Sequence, residues 1–199
     1  MLRITIYHIA MILQISLLAA TLLSTQAAPP EFKPSANPVT DAVRQSLAQQ
    51  SKNLIESAEL MPADKYGYHP TEAQMTFGKL VAHIAQTNSV ICSMVGNTPL
   101  PTDVMKLADT APKETLVAAI KQSFIACGEA LAKVTDIQLG EEASLMGRRS
   151  GQSRAGAAIA ITNDWADHFS TAAAYLRMNG ILPPTAQPKK SGGPSHNRH

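Results

Sequence analysis

The sequence predicts an all-α protein, a four-helix bundle preceded by a signal peptide. Four long segments carry apolar residues at the three- and four-residue spacing of an amphipathic helix. No segment shows sustained strand alternation bounded by hairpin turns, and no repeat of fixed period is present. At 199 residues the chain is long enough for one domain with a substantial core.

The first element has the three-part form of a secretory leader. Arg3 supplies the positive start, Ile9 to Leu23 is a mostly apolar run broken by Gln14, Ser16 and Thr21, and Ser24-Thr25-Gln26-Ala27-Ala28 offers small residues for cleavage. The run is short for a membrane span, which needs about 20 apolar residues; an uncleaved N-terminal anchor is the alternative. The expected organisation is a signal peptide over 1–27, an extended Pro- and Ala-rich lead-in over 28–37, the bundle over 38–187 and a disordered tail over 188–199. The expected location is periplasmic or secreted.

The first helix starts near Pro38, with Asn37 as its cap and proline at the first helical position, where the missing N–H costs nothing. Val43, Leu47, Leu54, Ile55, Ala58 and Leu60 form its apolar face, and Met61-Pro62 ends it. A polar connector holds Tyr66, Tyr68, His69 and Pro70. The second helix begins at about Thr76, buries Phe77, Leu80, Val81, Ile84, Val90, Ile91 and Met94, and stops at Gly96-Asn97-Thr98-Pro99. The third opens at Thr110 to Pro112 and runs to about Val134 through Leu116, Ile120, Phe124, Ile125 and Leu131. A long connector, Thr135 to about Gln152, carries Gly140, Gly147 and Gly151. The fourth helix covers roughly Ser153 to Asn179, closed by Gly180 and Pro183-Pro184.

Charge excludes more than it suggests. The net charge is +2, and the basic groups Arg148-Arg149-Arg154 and Lys189-Lys190-Arg198 read as a loop and a tail with few aromatics between them. Nucleic acid is therefore not an expected partner. No phosphate-binding glycine loop or serine nucleophile turn is present. The expected partner is a small-molecule substrate or ligand, with no stable membrane span after processing and a homodimer as the assembly allowed for. The two cysteines, Cys92 and Cys127, suit a disulfide in an exported chain or, equally in kind, two buried thiols.

The residues with the richest chemistry are His83, Asp164 and His168. Asp164 and His168 stand at i and i+4 on one helix face and can converge on one ion. With His83 from the second apolar helix they make a three-ligand set with open positions for water or substrate. The competing reading is a pair of histidines hydrogen-bonded in a core. Trp165 is expected to pack on a neighbouring helix or lie partly exposed, His69 to be an exposed loop residue, and Asp167 to be a surface charge or a partner of His168.

Three phrases resemble the DinB-like (YfiT-like) four-helix family. Leu60-Met61-Pro62-Ala63-Asp64-Lys65-Tyr66 with Pro70 is similar to its turn after the first helix. Phe77-Gly78-Lys79-Leu80-Val81-Ala82-His83 is similar to its second-helix phrase, and Asn163-Asp164-Trp165-Ala166-Asp167-His168-Phe169 with Tyr175 to Pro184 to its closing one. The resemblance covers about residues 38–187. It implies an up-down-down-up bundle with a divalent ion (Zn, Ni, Mn or Fe) held at one end by three histidines. Relatives include metal-dependent transferases and isomerases that use low-molecular-weight thiols. His83 and His168 match two of the ligands, whereas Asp164 stands where the family has its middle histidine. An anionic ligand partly neutralises the ion and lowers its Lewis acidity. Ser170-Thr171 also departs from the family pattern. The implied topology sets the second and third helices parallel. Cys92, 16 residues past Thr76, and Cys127, 15 past Pro112, then fall at a similar height.

Two functions follow as expectations. One is an exported metal-dependent hydrolase or transferase, for which thiol transfer is disfavoured because an exported protein does not meet the cytosolic thiol pool. The alternative is a non-enzymatic bundle that binds a metal or ligand; the altered ligand and the lack of an obvious separate base favour it.

Overall fold

Each long amphipathic segment forms a helix, and local capping sets its ends. The computed structural model describes residues 33–188. In chain order α1 spans Pro38–Leu60, α2 Phe77–Gly96 and α3 Lys113–Leu131. A short helix α4, Asp136–Leu139, and a hairpin of β1, Glu142–Leu145, with β2, Arg148–Ser153, precede α5, Arg154–Met178. The signal-peptide segment, the start of the lead-in and nearly all of the tail lie outside the described residues. Thr76 caps α2 by accepting the Lys79 amide at 3.1 Å, and Ser153 caps α5 by accepting that of Gly156 at 3.1 Å. Asn97 ends α2 in the left-handed conformation, φ 51°, which asparagine tolerates better than most residues. Among the described residues no helix is long and apolar enough to cross a membrane.

The helices pack as a ring, α2 against α3 and α5, and α1 against α3 and α5. Contacts advance together along α2 and α3: Asn88 bonds Ser123, Cys92 is joined to Cys127, and Gly96 meets Ala130. A Cβ at Gly96 would come within 2.8 Å of the Ala130 carbonyl oxygen, so only glycine lets these two backbones touch. Contacts run oppositely between α2 and α5, where Thr87 meets Asp164 and the more C-terminal Val95 meets Arg154. They also run oppositely between α1 and α3. There Arg44 donates to the carbonyls of Leu131, Ala132 and Val134, and Glu59 pairs with Lys121. Arg44 thereby satisfies carbonyls that a helix end leaves without partners.

Several expectations are corrected. The 135–152 segment is not an unstructured connector but α4 and the hairpin. Met146 and Gly147 both have positive φ, 53° and 75°, as the tight turn of a two-stranded ribbon requires. The hairpin lacks the alternation that marks a strand in sequence because every residue of β2 is exposed. Arg154 is no loop residue. It opens α5, is 4% exposed, and donates to the Val95 carbonyl and to Glu141, each at 2.7 Å. Ile125, expected in the core, is 53% exposed because it sits a 100° step from Phe124, which takes the inward position. Leu60 is likewise exposed at the end of its helix.

The expected cap of α1 also works differently. Asn37 Oδ1 accepts the Asp136 amide at 3.0 Å, while the Asp136 carboxylate accepts the amides of Val39 and Thr40 at 3.0 and 2.8 Å. Each residue thus caps the other's helix across 99 positions of sequence. Partial burial pushes the Asp136 carboxyl up, but the bonds from Val39 and Thr40, with Arg44 nearby, hold it below the usual carboxylate range. A depressed folded pKa stabilises above the unfolded value, and that contribution is lost as pH falls through the folded one. Asp136→Ala therefore lowers the melting temperature by a few degrees near pH 7, and the gap to wild type closes below about pH 4. Thermal melts across that range check it; a gap independent of pH would be wrong for this account.

Candidate metal centre

The α2–α5 contact assembles the three residues singled out in the sequence. One ligand atom from each of His83, Asp164 and His168 lies within 4.8 Å of the others. His83 comes from the middle of α2, whereas Asp164 and His168 are one turn apart on α5. The imidazole centroids are 5.0 Å apart with the planes tilted by 55°. His168 is buried at 8% exposure, and the other two are partly open to solvent, so the group has a wet side.

The donor set fits a divalent cation: two imidazoles and one carboxylate, held by two rigid helices. Tetrahedral bonds near 2.1 Å put ligand atoms about 3.4 Å apart, so an ion would draw the three side chains closer than the 4.8 Å they show here. His168 Nδ1 is 2.7 Å from the Asp164 backbone carbonyl, an acceptor only. That contact assigns a proton to Nδ1, so an ion would bind through Nε2, displacing any proton held there. The Asp164 carboxylate lies 3.2 Å from the same nitrogen. Burial works against the charged form of His168. The Asp164 carboxylate and carbonyl, with Asp167 behind them, outweigh it and raise the imidazole above the ordinary histidine value. Burial, together with the positive field of His168, lowers His83. A lowered pKa keeps the His83 lone pair available near neutrality.

Two residues that sequence reasoning passed over support this arrangement. Thr87 Oγ1 lies 3.1 Å from Asp164 Oδ2, and Asn88 Oδ1 accepts the Trp165 indole N–H at 2.7 Å. Trp165 is fully buried, resolving the choice left open for it. The sequence signal for Thr87 was its i+4 relation to His83, which puts a hydroxyl on the ligand face. His69 is exposed, its Nδ1 2.7 Å from the Thr71 carbonyl, and takes no part in the group. Asp167 faces solvent. Cys92 and Cys127 form a disulfide with Cα atoms 5.1 Å apart, on the α2–α3 side of the bundle.

Solved structures share this architecture. A DinB-like protein from Bacillus cereus aligns at TM-score 0.59 and 18% identity over 72% of this chain and 95% of its own. One from Bacillus subtilis aligns at 0.58 and 20% over 74% and 99%. A mycothiol-dependent maleylpyruvate isomerase variant aligns at 0.53 and 14% over 66% and 59%. No protein-family sequence model matches the chain, and no curated protein sequence does. These likenesses give the chain a DinB-like, mostly helical fold.

Proposed function

We propose that this chain is an exported member of the DinB-like family, with up-down-down-up topology, that binds one divalent ion through His83, Asp164 and His168. The carrying observation is the convergence of these three side chains within 4.8 Å at a helix contact that also leaves a solvent-facing side. The leader-like run from Ile9 to Leu23 supports export.

Each residue has a distinct part. His83 presents a neutral imidazole from α2. His168 presents Nε2 because its Nδ1–H is taken by the Asp164 carbonyl. Asp164 contributes the one anionic oxygen, which favours a harder cation than an all-imidazole set would. A bound Zn, Ni, Mn or Fe ion would supply Lewis-acid polarisation of a substrate oxygen or activation of a water, the chemistry of a hydrolase or transferase. The second reading, a metal- or ligand-binding bundle without catalysis, is favoured by Asp164 standing where the family has its middle histidine.

The test is metal content. Tag-free mature protein should carry about one equivalent of divalent ion after dialysis against Zn²⁺ or Mn²⁺, and His83→Ala, Asp164→Ala and His168→Ala should each lose most of it. The ion should also raise the melting temperature of wild type only, since a ligand that binds the folded state stabilises it by mass action. Unchanged metal content in His83→Ala would defeat the assignment.

A further inference from the structure

Thr87 stands between the two helices that supply the candidate ligands. Its hydroxyl oxygen lies 3.1 Å from Asp164 Oδ2 on α5, 3.1 Å from the His83 carbonyl and 3.2 Å from that of Ile84 on its own helix. A hydroxyl has one proton to donate. Of the three acceptors only the carboxylate is ionised, and a charge-assisted bond is roughly twice as strong as a neutral one. The proton therefore belongs mainly to Asp164, while the oxygen rests over the helical turn that begins with His83. One small side chain thus connects the backbone of one ligand to the carboxylate of another.

The next residue on each helix repeats the connection on the inner side. Asn88 and Trp165 follow Thr87 and Asp164 directly, are both fully buried, and bond at 2.7 Å. The inner bond fixes how α2 and α5 sit against each other. It does not fix the Asp164 side chain, which is 22% exposed and free to choose among rotamers. Thr87 makes that choice. With Oδ2 held by the hydroxyl and facing His168 Nδ1 at 3.2 Å, Oδ1 remains for other partners.

We propose that Thr87 is a positioning residue of this centre, anchoring the Asp164 carboxylate beside the two imidazoles without touching the ion. The inference rests on the metal reading above. Hydrogen-bond partners of metal ligands commonly contribute about 10–100-fold in affinity.

The experiment measures Zn²⁺ affinity by competition with a chromophoric chelator, and the visible spectrum of the Co²⁺-loaded protein, for wild type, Thr87→Val, Thr87→Ser and His168→Ala. Valine keeps the shape of threonine and removes the hydroxyl; serine keeps the hydroxyl. The expected result is about 10–100-fold weaker Zn²⁺ binding and an altered Co²⁺ spectrum in Thr87→Val. Thr87→Ser should recover affinity to within a few fold, and the metal-free melting temperatures should be similar. If Thr87→Val binds like wild type while His168→Ala does not, Thr87 has no positioning role and the metal centre stands. If Thr87→Ser is as weak as Thr87→Val, the hydroxyl is not the cause and the proposal also falls. If wild type itself binds neither ion, both readings fall together.

Discussion

Trp165→Ala is expected to remove about 3–5 kcal/mol of stability, the range for emptying a buried large aromatic site. Trp165 is fully buried and stacks at a tilt on Phe124, with ring centroids 6.1 Å apart. Truncation leaves a cavity and also strips Asn88 Oδ1 of its indole donor in a dry interior. Asn88 cannot turn away easily, because its amide nitrogen donates to Ser123 at 3.0 Å, and Ser123 donates in turn to the Ile120 carbonyl at 2.8 Å. The loss is about a fifth or more of the stability of a typical domain. Trp165→Phe keeps most of the volume and removes the N–H, so it should cost about 1–3 kcal/mol. Denaturant titration followed by circular dichroism measures both. An alanine variant within about 1 kcal/mol of wild type would mean that the site collapses freely, and the packing described here would be wrong. Asp164 precedes Trp165 directly and His168 follows by three residues, so folded alanine variant should also bind metal more weakly than the phenylalanine one.

The residues that were legible beforehand are those whose signal is local. Periodicity placed the four long helices, and Thr76, Asn97, Ser153 and Gly180 marked ends that the caps bear out. The i,i+4 relation of Asp164 and His168 is a property of any helix, so half of the candidate centre was visible without a fold. Bringing His83 to it depends on the α2–α5 packing; ligand chemistry suggested His83 as the third member, and the family resemblance supported the choice. Three of the failures share one cause, which is pairing across distance, and the hairpin has another. Asn37 and Asp136 cap each other's helices over 99 positions, and no window of sequence connects them. Arg154 looked like one of a basic loop cluster, yet the Val95 carbonyl and Glu141 satisfy it inside the protein. The hairpin was hidden because an exposed strand has no apolar residues to alternate. Thr87 was hidden because a single hydroxyl acquires a role only when the facing helix puts a carboxylate against it.

Removing the disulfide is expected to be the other large perturbation. Cys92 and Cys127 are separated by 35 residues, and the chain-entropy relation gives about 4 kcal/mol for a loop of that length. The loop includes the connector from α2 to α3, an exposed stretch whose one regular turn is the 3₁₀ segment Val104–Lys106. In the unfolded chain that stretch gains freedom once the link is cut. The folded state has less to lose. Asn88 with Ser123 lies one turn before the bridge, and the Gly96–Ala130 contact lies one turn after it, so α2 and α3 stay aligned without it. A Cys92→Ala, Cys127→Ala variant should therefore fold to the same structure with a lower denaturant midpoint and nearly unchanged metal affinity. Both sulfur positions are almost fully buried, at 2% and 0% exposure. A reductant should then open the bridge slowly in native protein and rapidly in denaturant. Tryptophan fluorescence follows the transition conveniently, because Trp165 is the chain's single tryptophan. Two free thiols on unreduced, unfolded protein would show that the bridge does not form. Equal midpoints for wild type and the double variant would show that it forms without stabilising the fold.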